Sequence, residues 1–202
     1  MKKINKPIWA SLLLIIPTAA FAVLTSVDDL DVGTGAPNTA ASSSAAVGSN
    51  NHASYTSLAV GVSCYTHEYS FAAGHSNRTK NMSAAIGWQN DVNYHAPGQY
   101  PRYAFASGML NDVVGNGSFA TGFNNDISAD YSSVLGKGLV VGVNRDYTTV
   151  IGTYNVDKDN IRLAVGNGGS SSNRSNAFEV YENGDVIINK EQGDISMGDF
   201  GN

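Results

Sequence analysis

The stretch SLAVGVSCYTHEYSFAAGHSNRTKNMSAAIG, residues 57–87, decides the fold. It holds one five-residue block three times, SLAVG, SFAAG and SAAIG, with Gly61, Gly74 and Gly87 spaced 13 residues apart. The block continues in both directions. SAAVG stands before it at 44–48, and AFASG (104–108), SFATG (118–122), SSVLG (132–136), TTVIG (148–152) and RLAVG (162–166) follow. The glycine column is therefore Gly48, Gly61, Gly74, Gly87, Gly108, Gly122, Gly136, Gly152 and Gly166, at intervals of 13, 13, 13, 21, 14, 14, 16 and 14. A fixed period with a few insertions is the signature of a repeat architecture.

A coil of 13–14 residues has room for two short strands and two tight turns, so the expected fold is an all-β parallel solenoid. In each block, alternation places the second and fourth residues on one face and the third on the other. Pairs such as Leu58/Val60, Phe71/Ala73 and Ala84/Ile86 match large with small, and are expected to share a narrow interior. The third residue stays small: Ala46, Ala59, Ala72, Ala85, Ala106, Ala120, Val134, Val150 and Ala164. It is expected to face outward, against another copy, and the glycines are expected to make the turns. Three residues after the glycine stand Asn51, Cys64, Asn77, Asn90, Asn111 and Asn125, a rung suited to a side-chain ladder. Five after it stand Ala53, Thr66, Thr79, Val92, Val113 and Ile127, a second inward position.

Composition agrees with that reading. Charged residues are only 14%, against roughly 25% in an average soluble chain, while 22 glycines and 21 asparagines oppose helix. Residues 1–22, MKKINKPIWASLLLIIPTAAFA, carry Lys2, Lys3 and Lys6, a short apolar run, and Ala20-Phe21-Ala22 as a cleavage site. That is the pattern of a signal peptide, so the protein is expected to be secreted or at the cell surface. From Val23 onward, 9 Lys+Arg face 17 Asp+Glu, which gives no general attraction to nucleic acid. Cys64 is the only cysteine, so no intrachain disulfide can form. It is either a structural member of the rung or a reactive thiol.

The organisation expected is a signal peptide (1–22), an N-terminal strand and linker or cap (23–43), the repeat region (44–168) and a C-terminal β-hairpin or cap (169–202). The hairpin is read from Glu182-Asn183-Gly184 between two apolar runs. A thin coil buries little, so a homo-oligomer is expected.

The blocks SLAVG, SAAIG, SFATG and SSVLG at this spacing resemble the head repeats of trimeric autotransporter adhesins, the YadA-like heads. The resemblance implies a left-handed parallel β-roll that trimerises side by side, spans about 44–168, and contacts extracellular matrix or a cell surface. The stretches GKGLVVGVNRDYTTVIGTYN (136–155) and IRLAVGNGGSSSNRSNAFEVYENGDV (161–186) resemble the junction that follows such heads in bacterial and phage fibre proteins. The family's coiled-coil stalk and membrane-anchoring segment have no counterpart in the 202 residues, which reads as a free-standing exported head.

Two groups of site residues are expected. The insertion NYHAPGQYPRY (93–103) gathers Tyr94, His95, Tyr100, Arg102 and Tyr103, an aromatic-plus-arginine loop suited either to ligand contact or to packing on a neighbour. Asp91, Asp112 and Asp126 each lie four residues after a glycine, so stacking brings the carboxylates together, either solvated or neutralised by Ca²⁺. No G-x-S-x-G elbow, P-loop or H-E-x-x-H occurs, so no enzyme activity and no cofactor are expected. The function read from the sequence is an adhesin-like binding or structural element, or else a subunit of a self-assembling extracellular filament.

Overall fold

The computed structural model describes residues 30–33, 37–93 and 103–188. It is a parallel β-solenoid of about nine turns, with no helix among the described residues. Each coil contributes one strand to a long sheet and one to a short sheet. The long sheet runs Leu30–Gly33, Ala45–Ser49, Leu58–Val62, Phe71–His75, Ala84–Trp88, Phe105–Met109, Phe119–Phe123, Ser133–Lys137, Thr149–Thr153 and Ile161–Asn167, all parallel. It ends in two antiparallel strands, Asn176–Tyr181 and Val186–Ile188. The short sheet runs Thr39–Ala41, His52–Ser54, Tyr65–His67, Arg78–Lys80, Asp91–Val92, Asp112–Val113, Asp126–Ile127 and Val140–Val141. The block repeat sets the register: Ala59 pairs Ala72, Ala72 pairs Ala85, and Ala85 pairs Ala106.

The inward face is the opposite of the one expected. The small third residues, from Ala46 to Ala164, are all buried, and they pack against Ala53, Val92, Val113, Ile127 and Val141 of the short sheet. The large second and fourth residues point out, with Leu58, Ile86, Phe119, Leu135 and Ile151 each more than a third exposed. The cause is the width of the coil. In the coils up to Asp91–Val92 the two sheets are linked by turns of two or three residues and stand too close for Leu or Phe on the inner side, so alanine fills that layer; beyond them the connections back to the long sheet lengthen to five residues or more, and valine enters the layer at 134 and 150. The small face is thus the core and not a surface for association.

The glycines are not the turn residues either. From Gly48 to Gly152 each is the fourth residue of a five-residue strand, and the left-handed turn residue comes two later, as at Ser63 and Ser76; Gly166 is the sixth residue of the longer strand Ile161–Asn167. Gly74 shows what the position demands: its φ is +116°, and a Cβ there would lie 2.1 Å from the carbonyl oxygen of Gly87 in the next coil. Stacked backbone excludes any side chain at this point.

The asparagine rung forms as expected. Asn90 is fully buried; its Nδ2 donates to Ile86 O at 3.1 Å, Gly108 O at 3.0 Å and Asn77 Oδ1 at 3.0 Å. Its Oδ1 accepts the N–H of Asn111 at 3.1 Å in the next coil. One side chain thus ties its own strand end to two neighbouring coils. The serine that opens each early block closes the other turn: Ser57 Oγ accepts the N–H of Ser54 at 3.0 Å, and Ser70 Oγ that of His67 at 3.0 Å.

Candidate binding surfaces

Because every coil repeats the same geometry, each outward position becomes a column along the solenoid, and the sequence of each column decides its chemistry. On the long sheet two of the outward columns are largely apolar, while the third, Val62, His75, Trp88, Met109, Phe123 and Lys137, carries a histidine and a lysine. Leu58, Phe71, Ala84, Phe105 and Phe119 follow one another in register, beside Val60, Ala73, Ile86, Ser107 and Thr121. Phe105 and Phe119 stack with ring centroids 5.4 Å apart. No titratable residue interrupts these two columns between Leu58 and Thr121.

The outer face of the short sheet changes character along its length. His52, Tyr65 and Arg78 lead into Asp91, Asp112 and Asp126. His52 and Tyr65 stack at 4.6 Å. The three aspartates are cross-strand neighbours; Arg78 lies 3.8 Å from the Asp91 carboxylate. Burial raises the Asp126 carboxyl above its usual range, against a hydrogen bond from Ser128 and the charge of Arg174. Among the described residues, no group of three or more His, Cys, Asp or Glu side chains is placed to hold a metal ion.

Of the aromatic insertion, Tyr94, His95, Tyr100 and Arg102 lie outside the described residues. Tyr103 is described: it is exposed, with φ at 66°. It belongs to a larger set that the sequence reading missed. Tyr55, Tyr69, Met82, Tyr131 and Tyr147 also occupy left-handed positions on the turns that lead into each block, and all are exposed. In the early coils, Tyr55, Tyr69 and Met82 border a groove of about 540 Å³ whose polar lining includes Thr56, Glu68 and Asn81.

Cys64 replaces asparagine in its rung. It is buried, and its thiol reaches the same two carbonyls as its neighbours do, Val60 O at 3.6 Å and Gly74 O at 3.5 Å. Burial pushes its pKa up, against backbone hydrogen bonds from Asn77, Val62 and Ser76. A buried thiol held protonated is a poor nucleophile.

The C-terminal end carries a network of its own. Asn155 offers its amide to both backbone groups of Val140, at 2.8 and 2.9 Å, and so closes the last strand of the short sheet. Asn176 does the same for Val156 at 2.8 Å each way. Beside it, Glu179 is buried yet fully partnered by Lys158 at 2.6 Å, Asn176 at 2.7 Å and the Tyr181 hydroxyl at 2.7 Å. Burial alone would raise the Glu179 pKa, but these three donors outweigh it and hold the carboxyl below its usual range. This is a saturated structural carboxylate and not a free acid.

The chain matches no family model and no curated protein. What the geometry offers is surfaces in columns.

Proposed function

We propose that the chain is an exported, non-enzymatic β-roll of the YadA-like kind, left-handed and trimeric, that displays adhesin-like binding surfaces toward a cell surface or extracellular matrix. The observation that carries this reading is the outward apolar face of the long sheet. A monomer in water seldom exposes so continuous a patch. Three copies meeting along that face would add to a core built largely of alanine and valine. Each remaining column would then appear three times, and weak contacts repeated threefold give avidity without any new contact.

The second reading, a filament of solenoids stacked end to end, is disfavoured by the C-terminal closure. Asn155 and the antiparallel strands occupy the C-terminal edges that a further parallel coil would need, which disfavours continuing the parallel stack from that end. The test is binding of the secreted protein to immobilised matrix proteins and to whole cells, with Leu135→Glu alongside. The expected result is slow multivalent dissociation that Leu135→Glu converts to fast dissociation. Failure to bind any matrix or cell surface would overturn the adhesin reading.

A further inference from the structure

The tyrosine-bordered groove lies on an edge of the coil stack, separate from the apolar face and contained within one chain. Its rims are Tyr55 and Tyr69, both more than half exposed, with Met82 on the coil beyond. Its polar lining includes the hydroxyl of Thr56, the amide of Asn81 and the carboxylate of Glu68, and no lysine or arginine is among the described residues that line it. The volume, about 540 Å³, falls within the range of small-molecule sites, roughly 300–1,000 Å³. Tyr55, Tyr69 and Met82 also have φ between 54° and 58°. Bulky side chains are disfavoured there relative to glycine or asparagine, so backbone economy does not explain the rings.

Exposed flat rings beside hydroxyl, amide and carboxylate groups form a surface of alternating apolar faces and hydrogen-bonding edges. A sugar ring presents the complement, an apolar C–H face and a rim of hydroxyls. The charge on the groove narrows the class. Glu68 is the one acidic group among the described residues that line it, and His67 touches both Glu68, at 3.7 Å, and the Tyr55 ring, at 4.6 Å. A sulfated or carboxylated glycan would meet this carboxylate with no arginine or lysine among the described lining residues to offset it. We infer that the groove formed by Tyr55, Tyr69, Met82, Thr56, Asn81 and Glu68 binds a short segment of a neutral glycan, with Tyr69 as the principal stacking platform. The inference deepens the adhesin reading and rests on it only for avidity, because one chain supplies the whole groove.

The experiment is saturation-transfer NMR and calorimetry of the full chain with cellohexaose, chitohexaose and laminarihexaose, and with a heparin hexasaccharide as the charged control. Tyr69→Asn and Tyr55→Asn are the variants, since asparagine accepts left-handed φ and removes the ring without adding strain. At least one neutral hexasaccharide is expected to bind with saturation on tyrosine ring protons, and Tyr69→Asn to weaken it about tenfold or more, as for an aromatic anchor. The proposal is overturned if no neutral hexasaccharide binds, if heparin binds in preference, or if both variants bind as the parent does. It is also overturned if Tyr69→Asn changes the oligomeric mass, because the groove is then covered by a second copy. Light scattering on the same samples separates the two readings: a trimer without sugar binding removes the groove, and a monomer that binds sugar removes the trimer.

Discussion

Replacing Asn90 with alanine tests how much of the fold depends on the rung. The side chain takes part in five hydrogen bonds and is fully buried. Alanine leaves the Asn111 N–H without its acceptor in a dry interior, at about 1–3 kcal/mol, and forfeits bonds to Ile86 O and Gly108 O worth about 0.5–1.5 kcal/mol each. The sum is about 2–6 kcal/mol, a large part of the roughly 5–15 kcal/mol that holds an ordinary domain together. The molecule contains its own control. Cys64 performs the same task with Sγ···O contacts of 3.5 and 3.6 Å, where Asn51 has N···O distances of 2.8 and 2.9 Å. Cys64→Asn is therefore expected to stabilise by about 0.5–1.5 kcal/mol, and Asn90→Cys to fall between wild type and Asn90→Ala. Urea unfolding followed by circular dichroism, with hydrogen exchange at residue 111 as the local probe, measures both. If Asn90→Ala costs under about 0.5 kcal/mol, the magnitude of a surface change, or if Cys64→Asn destabilises, the ladder argument is wrong.

Other perturbations follow from the same geometry. Gly74→Ala drives a Cβ to 2.1 Å from Gly87 O at φ +116°, so the variant should fail to fold or lose cooperativity in thermal melts, whereas Gly184→Ala, which meets no atom within 4 Å and carries only the backbone strain of φ +93°, should fold with a lowered melting temperature. Glu179 has a lowered pKa, so its contribution is complete above the unfolded-state value and is lost as pH falls through the folded one. Exchange protection in 176–188, taken relative to the intrinsic amide rate at each pH, should fall in acid before that of the coils, and Glu179→Gln should flatten that dependence; protection that does not change with pH would contradict it. Asp112 pairs directly with Asp91 and Asp126, and like charges face to face cost about 0.2–1 kcal/mol. Asp112→Asn should raise the melting temperature at low salt and not at high salt; a calcium-dependent loss in the same variant would instead mark a cation site.

Much of the fold is legible in the chain because a repeat converts sequence spacing into register. The block spacing aligns the glycines, Asn51 to Asn125 align as a buried rung, and Val92, Val113 and Ile127 align as an inward column. Which face of the long sheet points inward is not legible from alternation alone, since a period of two is satisfied by either choice. Size misleads here: Leu58 and Phe71 look like core, yet the gap between the sheets accepts only Ala59 and Ala72. The unvarying small third position was the signal, because a wall of fixed separation constrains volume more tightly than a free surface does. The Glu179 network stayed hidden for another reason. Its partner Lys158 is 21 residues away on a segment without the block, so no spacing connects them. The tyrosine positions escaped notice because left-handed turns favour glycine and asparagine, and a ring there follows no local rule.

In the proposed trimer, two further copies of the chain cover the outward apolar face. Light scattering of residues 23–202, before and after Leu135→Glu, tests this directly. The expected mass is three times that of the chain, falling to one for the variant with its coil structure intact by circular dichroism. A wild-type protein that is monomeric across micromolar concentrations would contradict it.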